Sequence, residues 1–72
     1  MKDSIAQKVR EKRKAVGITQ AELAERAGVH RITISNLELG KNTPQFRNLE
    51  KVAKGLNVPV VDLLPSSSQY TV

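Results

Sequence analysis

Apolar side chains recur three and four residues apart along most of the chain, which is the spacing of amphipathic helices. The first such stripe contains Ile5, Val9 and Val16, and Gly17 follows it as an expected helix end. Ser4 opens a short sequence that resembles a capping box. The pattern therefore predicts a first helix between Ser4 and Gly17 that buries the three aliphatic side chains of the stripe.

The second and third helices are predicted on either side of a glycine corner. The capping box Thr19-x-x-Glu22 begins the second helix, and Gly28 ends it. The third helix covers about residues 31–39, because Gly40 follows its last apolar position. The side chains expected to face inward are Leu23, Ala24, Ile34 and Leu37. Two short helices joined by a tight turn are a helix-turn-helix, which the pattern predicts here.

Two further helices are predicted in the C-terminal part of the chain. Thr43 followed by Pro44 has the form of a helix start, with a hydroxyl cap and a proline in the first turn. Gly55 is expected to end this fourth helix, and a short fifth helix is predicted at about residues 59–64. The apolar positions of the fourth helix are Phe46, Leu49, Val52, Ala53 and Leu56.

Length and composition favour a single all-α domain. The 72 residues are near the lower limit at which one hydrophobic core folds without help. Apolar residues make up 39% of the chain and aromatic residues only 3%, a palette that suits packed helices better than a sheet. We therefore expect a compact five-helix domain at residues 1–65 and a short tail at residues 66–72.

Residues able to carry catalytic or metal chemistry are few. The chain has no cysteine and a single histidine, His30, whereas a zinc site needs three or four protein ligands. Catalysis needs a base or nucleophile within reach of a partner in a sheltered site, and the sequence offers no such set. We expect no enzyme, no cofactor and no metal. The charged N-terminus and the lack of a long apolar stretch favour a soluble, cytoplasmic protein.

The net charge of +5 is concentrated in two blocks. Residues 1–18 carry six basic side chains against two acidic ones, residues 41–56 carry four against one, and the segment between them is nearly neutral. Solvated helix faces would explain such blocks. The alternative is that the two blocks bind a polyanion on either side of a central reading element.

Two opposite charges border the predicted apolar stripes. Arg13 lies between Val9 and Val16 in helical spacing, and Glu38 lies next to Leu37 at the edge of the third helix's inward face. Opposite charges at the edges of two packed stripes indicate a partly buried ion pair that joins the helices. Two unrelated surface charges are the alternative.

Three segments follow one another along the chain in the order and spacing of one known family: GITQAELAERAGV, TISNLELGK and TPQFRNLEKVAKGLNV. Over about residues 5–64 the chain closely resembles the phage-repressor and Cro-type helix-turn-helix family of bacterial and phage regulators. The resemblance assigns the helix-turn-helix to about residues 20–39 and implies a five-helix fold, double-stranded DNA as ligand and the Arg13–Glu38 pair. The chain departs from the family at His30 and Pro59, where a hydroxyl cap is frequent.

The resemblance assigns the reading of base edges to the start and the outward face of the third helix. Arg31 can bond guanine through two hydrogen bonds, Asn36 can bond adenine, and Ile32 can contact a thymine methyl group. Simple solvent exposure is the alternative for the two polar residues, and Ile32 could instead fold back onto the domain. The complete set of expected base readers is Arg31, Ile32, Thr33, Ser35 and Asn36.

A second set of residues is expected to hold the phosphate backbone. Lys41, Asn42 and Gln45 form a phosphate clamp with the helix that begins at Pro44, because backbone N–H groups and a cation suit an anion. Gln20 is expected to brace the DNA backbone or to support the reading helix, and a polar first-turn residue is the alternative. The full set is Arg10, Gln20, Lys41, Asn42, Gln45 and Arg47.

These expectations favour a sequence-specific transcriptional regulator, a repressor or autoregulator, that binds a two-fold operator as a homodimer. One short helix reads only a few base pairs, so two copies are needed for specificity. The expected dimer surface consists of Val60, Val61 and Leu64 near the C-terminus. The alternative is an antitoxin-like or adaptor module whose main partner is another protein. No small-molecule ligand is evident from the sequence.

Overall fold

Four α-helices and one 3₁₀ turn form the regular structure of the computed structural model, which describes residues 4–41 and 44–64. The helices are α1 (Ile5–Val16), α2 (Gln20–Ala27), α3 (Arg31–Leu39) and α4 (Phe46–Leu56), followed by the 3₁₀ turn Val60–Leu63. The predicted all-α fold is confirmed, although the fifth helix is only this turn. The predicted cap Thr43, the clamp residue Asn42, and Pro65 with the tail at 66–72 lie outside the described residues.

The ends of α1, α2 and α3 agree with the sequence pattern because local hydrogen bonds fix them. At the start of α2 both arms of the capping box are present, from the Glu22 amide to Thr19 Oγ1 at 3.1 Å and from the Thr19 amide to Glu22 Oε1 at 2.9 Å. Before α1 only half of a box forms. Ser4 Oγ accepts the Gln7 amide at 3.1 Å, but the Gln7 side chain donates to Glu11.

The bounds of α4 correct the sequence prediction at both ends. Gln45 has extended backbone angles and its carbonyl accepts the amide of Asn48 at 3.0 Å, so the helix begins at Phe46 and Pro44 lies outside it. Gly55 does not end α4. It is buried inside the helix, and the left-handed residue that ends α4 is Asn57, with φ 60°.

The segment predicted as a fifth helix turns only once. The amide of Asp62 donates to the carbonyl of Pro59 at 3.0 Å, and that of Leu64 to Val61 at 3.2 Å, which are the short-range bonds of a 3₁₀ turn. Leu64 then becomes extended, with ψ 150°, because the next residue is Pro65 and a residue before proline avoids the helical region.

The core lies where α2 packs against both α3 and α4, with α1 across α3. Its largest fully buried side chains are Leu23, Ile34, Leu49, Leu63, Val9 and Val52. The prediction that Val16 is buried was wrong, since 45% of this residue is exposed. Val16 is the last residue of α1, and after the turn at Gly17 it is Ile18 that enters the core.

Candidate nucleic-acid interface

The corner between α2 and α3 is held by backbone hydrogen bonds. Gly28 has φ +73°, a left-handed conformation that costs glycine little, and the next amide, that of Val29, donates to Ala24 at 3.0 Å. The Val29 side chain packs against the core. His30 occupies the N-cap position of α3, and no side-chain hydrogen bond caps the helix there. The corner therefore fixes where α3 begins.

Helix α3 has one buried face and one exposed face. Its inner face is formed by Ile34, Leu37 and Glu38, all buried. On the outer face 71% of Ile32 and 63% of Leu39 are exposed. The alternative in which Ile32 folds back onto the domain is therefore excluded.

The structure brings the predicted base readers to the surface to different degrees. Arg31 and Ile32, in the first turn of α3, are exposed. Thr33, Ser35 and Asn36 are half-buried. Leu39 was not among the predicted readers, although helical spacing sets it seven residues after Ile32, on the same side of the helix.

Arg13 of α1 and Glu38 of α3 meet in a two-point ion pair. Arg13 Nε lies 2.6 Å from Glu38 Oε2, and Nη2 lies 3.0 Å from Oε1. A third guanidinium nitrogen, Nη1, donates to the carbonyl of Ile18 at 2.9 Å. The side chain of Glu38 is only 3% exposed and that of Arg13 13%. The pair therefore fastens the last turn of α3 to α1 and to the segment that leads into α2.

Gln20, the first residue of α2, is a third member of this network. Its side-chain Nε2 donates to Glu38 Oε1 at 3.1 Å. We call the set Arg13, Glu38 and Gln20 the brace, because it joins α1, α2 and α3. The sequence pattern could not reveal the Gln20 contact, since the contact depends on the angle between α2 and α3.

The brace keeps Glu38 ionised. Burial is the largest single influence and acts to raise the pKa of this carboxyl. The hydrogen bonds from Arg13 and Gln20 and the charges of Arg13 and Arg10 together outweigh burial, so the pKa of Glu38 lies below its ordinary value of 4.5. The hydrogen bond to Glu38 raises the pKa of the Arg13 guanidinium.

The predicted backbone contacts within the described residues lie on α1, at the start of α2 and around the connection from α3 to α4. Arg10, on α1, is exposed and close enough to Glu38 to lower its pKa. Lys41, Gln45 and Arg47 are exposed around the connection from α3 to α4. Gln20 and Arg31 line one surface depression at the start of α2, with Arg13, Gly17, Ile18, Thr19 and Ala21.

The predicted dimer residues lie in the 3₁₀ turn and directly after it. Val60 and Leu64 pack partly against the core, whereas 64% of Val61 is exposed. Within residues 4–41 and 44–64 no helix is long and apolar enough to cross a membrane. The same residues contain no group of three or more histidine, aspartate or glutamate side chains that could hold a metal ion.

Two short helices at a glycine corner, the second with an anchored inner face and a polar and aliphatic outer face, define a helix-turn-helix domain. The profile of the helix-turn-helix family matches residues 9–63. The chain therefore belongs to this family of DNA-binding transcriptional regulators.

Relatives of known sequence agree with this assignment. An HTH-type transcriptional regulator of Archaeoglobus fulgidus is 45% identical over 56 residues, which cover 78% of this chain and 80% of the relative. The HTH-type transcriptional regulator SinR of Bacillus subtilis is 41% identical over 61 residues, 83% of this chain but only 55% of SinR. Both relatives are transcriptional regulators by name.

Solved structures share the fold, and two of them contain DNA. The P22 c2 repressor in complex with a synthetic operator superposes with a TM-score of 0.77 at 31% identity, covering 85% of this chain and 92% of that one. SinR in complex with DNA superposes with a TM-score of 0.77 at 38% identity, covering 82% of this chain and 95% of that one. The restriction-modification controller protein C.AhdI of Aeromonas hydrophila superposes with a TM-score of 0.80 at 30% identity, covering 83% of this chain and 91% of that one.

Proposed function

We propose that this chain binds a specific double-stranded DNA operator as a homodimer and represses transcription. The observation that carries the proposal is the division of α3 into two faces. Ile34, Leu37 and the brace anchor the inner face, while the outer face exposes 71% of Ile32 beside the cationic Arg31. A firmly held helix with such an outer face is suited to the major groove.

Each residue of the outer face has a proposed partner among the base edges. Arg31 bonds guanine, Asn36 bonds adenine, and Ile32 contacts a thymine methyl group. Thr33 and Ser35 have hydroxyl groups that donate to or accept from either kind of base pair. The half-burial of Asn36 supports this role, because a partly packed side chain has fewer rotamers to lose on binding.

Phosphate contacts flank the reading helix in this proposal. Lys41, Gln45 and Arg47 are exposed where α3 leads into α4, and backbone amides at the start of α4 suit an anion. Asn42 completes this clamp. Arg10 holds the strand on the other side, and Gln20 borders the same surface from the start of α2. The P22 c2 repressor and SinR, whose folds match this chain, are each solved with DNA.

Repression and dimerisation complete the proposal. The similar P22 c2 protein is a repressor by name, which supports a repressor. Residues 1–65 form the DNA-binding domain, followed by the tail at 66–72. Val61, 64% exposed, lies at the centre of the proposed dimer surface with Val60 and Leu64. Two copies are needed because one short helix distinguishes too few base pairs.

Selection of bound duplexes from a random-sequence pool tests the proposal. We expect an inverted repeat with half-sites about one helical turn, roughly 10 base pairs, apart. Ile32→Ala should lose the preference for thymine at one position of each half-site. The control Val16→Ala, which trims another exposed aliphatic side chain on α1, should select the same motif as the wild type. A pool without a shared motif, or an Ile32→Ala motif identical to the wild type's, would contradict the proposal.

A further inference from the structure

The side chain of Gln20 is engaged inside the domain, although the residue stands on the surface proposed for DNA. Its Nε2 donates to Glu38 Oε1 at 3.1 Å, and Glu38 is 4% exposed. The other oxygen of Glu38, Oε2, receives Arg13 Nε at 2.6 Å. Gln20 therefore provides the α2 contact to a carboxylate that is otherwise held from α1.

The orientation of the Gln20 amide follows from the chemistry of its partner. An ionised carboxylate only accepts hydrogen bonds, so the amide must turn its nitrogen, and not its oxygen, toward Glu38. The charges of Arg13 and Arg10 favour this ionised form. One N–H of the amide is consequently committed to the brace, and this bond fixes the direction in which the amide points.

The Gln20–Glu38 contact joins α2 to α3. The angle between these two helices decides where α3 lies in the domain. Gln20 is the first residue of α2, and Glu38 is in the last turn of α3. The backbone corner at Gly28 joins the opposite ends of the two helices. The pair α2–α3 is therefore fixed at both ends, by the corner at one end and by the Gln20–Glu38 bond at the other.

We propose that Gln20 is a positioning residue for the recognition helix, acting through Glu38 rather than by a direct contact with DNA phosphate. This inference rests on the proposed function, since it assumes that α3 reads DNA. Without the amide, the Glu38 carboxylate is held by Arg13 alone and its bond to α2 is lost, so α3 can tilt against α2. A tilt displaces the base readers while the phosphate contacts adapt, so discrimination between sequences suffers more than general affinity.

The DNA arm of the test compares Gln20→Met with Gln45→Ala. Gln45 is the matched control, because it is a second glutamine of the proposed backbone set and its side chain does not cap α4. Affinities are measured for the duplex recovered by selection and for a shuffled duplex of equal length. We expect Gln20→Met to lower the ratio of the two affinities about five- to tenfold. Gln45→Ala should weaken both duplexes equally and leave the ratio unchanged.

A second arm uses the free protein and needs no DNA. Gln20→Glu sets a second carboxyl against Glu38. Arg13 and Arg31, which line the same depression, offset part of this repulsion, but at pH 7 the melting temperature should still fall below that of the uncharged Gln20→Met. Arg10 and Arg13 hold Glu38 ionised, so acidification protonates the introduced carboxyl first. That carboxyl then donates to Glu38, and the gap between the two variants should close by about pH 5.

The outcomes separate the inference from the proposed function. Equal weakening of both duplexes by Gln20→Met, as for Gln45→Ala, would make Gln20 a direct phosphate contact and overturn the positioning role. Identical melting of Gln20→Glu and Gln20→Met at both pH values would overturn the Gln20–Glu38 contact itself. A wild-type protein that binds both duplexes equally would instead overturn the proposed function, and the melting comparison would still decide the contact.

Discussion

At the scale of single residues, the Arg13–Glu38 pair fastens the last turn of α3 to α1. Helical spacing alone placed both charges at the edges of packed stripes, and the ion pair was predicted from that placement. Spacing could not predict that Gln20 would bond the same carboxylate. That contact depends on the angle at the Gly28 corner, which is a tertiary feature.

Arg13→Ala should lower the melting temperature much more than Lys12→Ala. Removing one partner of a buried pair costs about 3–5 kcal/mol, and the 3% exposure of the Glu38 side chain puts this site near that range. For a domain of this size, this loss of free energy lowers the melting temperature by roughly 10 °C or more. Lys12, the neighbouring cation on α1, should change the melting temperature by a few degrees at most. Equal melting temperatures of the two variants, measured by circular dichroism, would contradict the role assigned to the pair.

Acid should weaken the fold through Glu38. The pKa of this carboxyl is lowered in the folded state, so its contribution to stability is complete above the ordinary value of 4.5 and is lost as the pH falls through the folded pKa. We expect the melting temperature of the wild type to fall steeply below about pH 4.5. Glu38→Gln should be less stable at neutral pH and should show a shallower fall. Glu50→Gln, at an exposed carboxyl on α4, serves as control and should follow the wild-type curve.

At the scale of elements, the pattern predicted helices well and misjudged one glycine. The first three helices end at left-handed glycines, and the same reasoning placed the end of α4 at Gly55. In the structure Gly55 lies within α4, where α2 approaches closely. A glycine that stops a helix and a glycine that admits a neighbouring helix look identical in one sequence. Only the packing of α2 on α4 distinguishes the two.

Gly55→Ala should therefore destabilise the domain, although alanine is the better helix former by about 1 kcal/mol. An added Cβ would lie 3.1 Å from the backbone nitrogen of Ala27 and 3.3 Å from its Cα. These are backbone atoms of α2, so relief requires a shift of the whole helix, and overpacking of this kind costs about 1–3 kcal/mol. We expect the free energy of unfolding to fall by about 1 kcal/mol, which lowers the melting temperature by roughly 4–8 °C. If Gly55→Ala melts at the same temperature as the exposed control Lys54→Ala, or at a higher one, α2 can move away freely.

At the scale of the whole molecule, the distribution of basic side chains bears on how the domain binds a polyanion. The two basic blocks of the sequence fall on different elements, one on α1 and one on α4 with the connection before it, and α3 lies between them in the chain. The sequence alone left two explanations for the blocks, solvated faces and binding of a polyanion. The family assignment and the exposed outer face of α3 favour the second, since phosphate contacts on both sides would hold the reading helix in its groove.

The salt dependence of binding should separate the residues that hold DNA from those that read it. If each protomer neutralises about three or four phosphates, the log–log slope of a dimer should lie between about −5 and −7. Lys41→Ala should weaken all duplexes about equally and make the slope shallower by about one per protomer. Arg31→Ala should instead cost about 1–3 kcal/mol on the selected duplex and relax the preference at one base position. Because both side chains are exposed cations, identical behaviour of the two variants would mean that Arg31 contacts phosphate, and base recognition would then depend on Ile32 and Asn36.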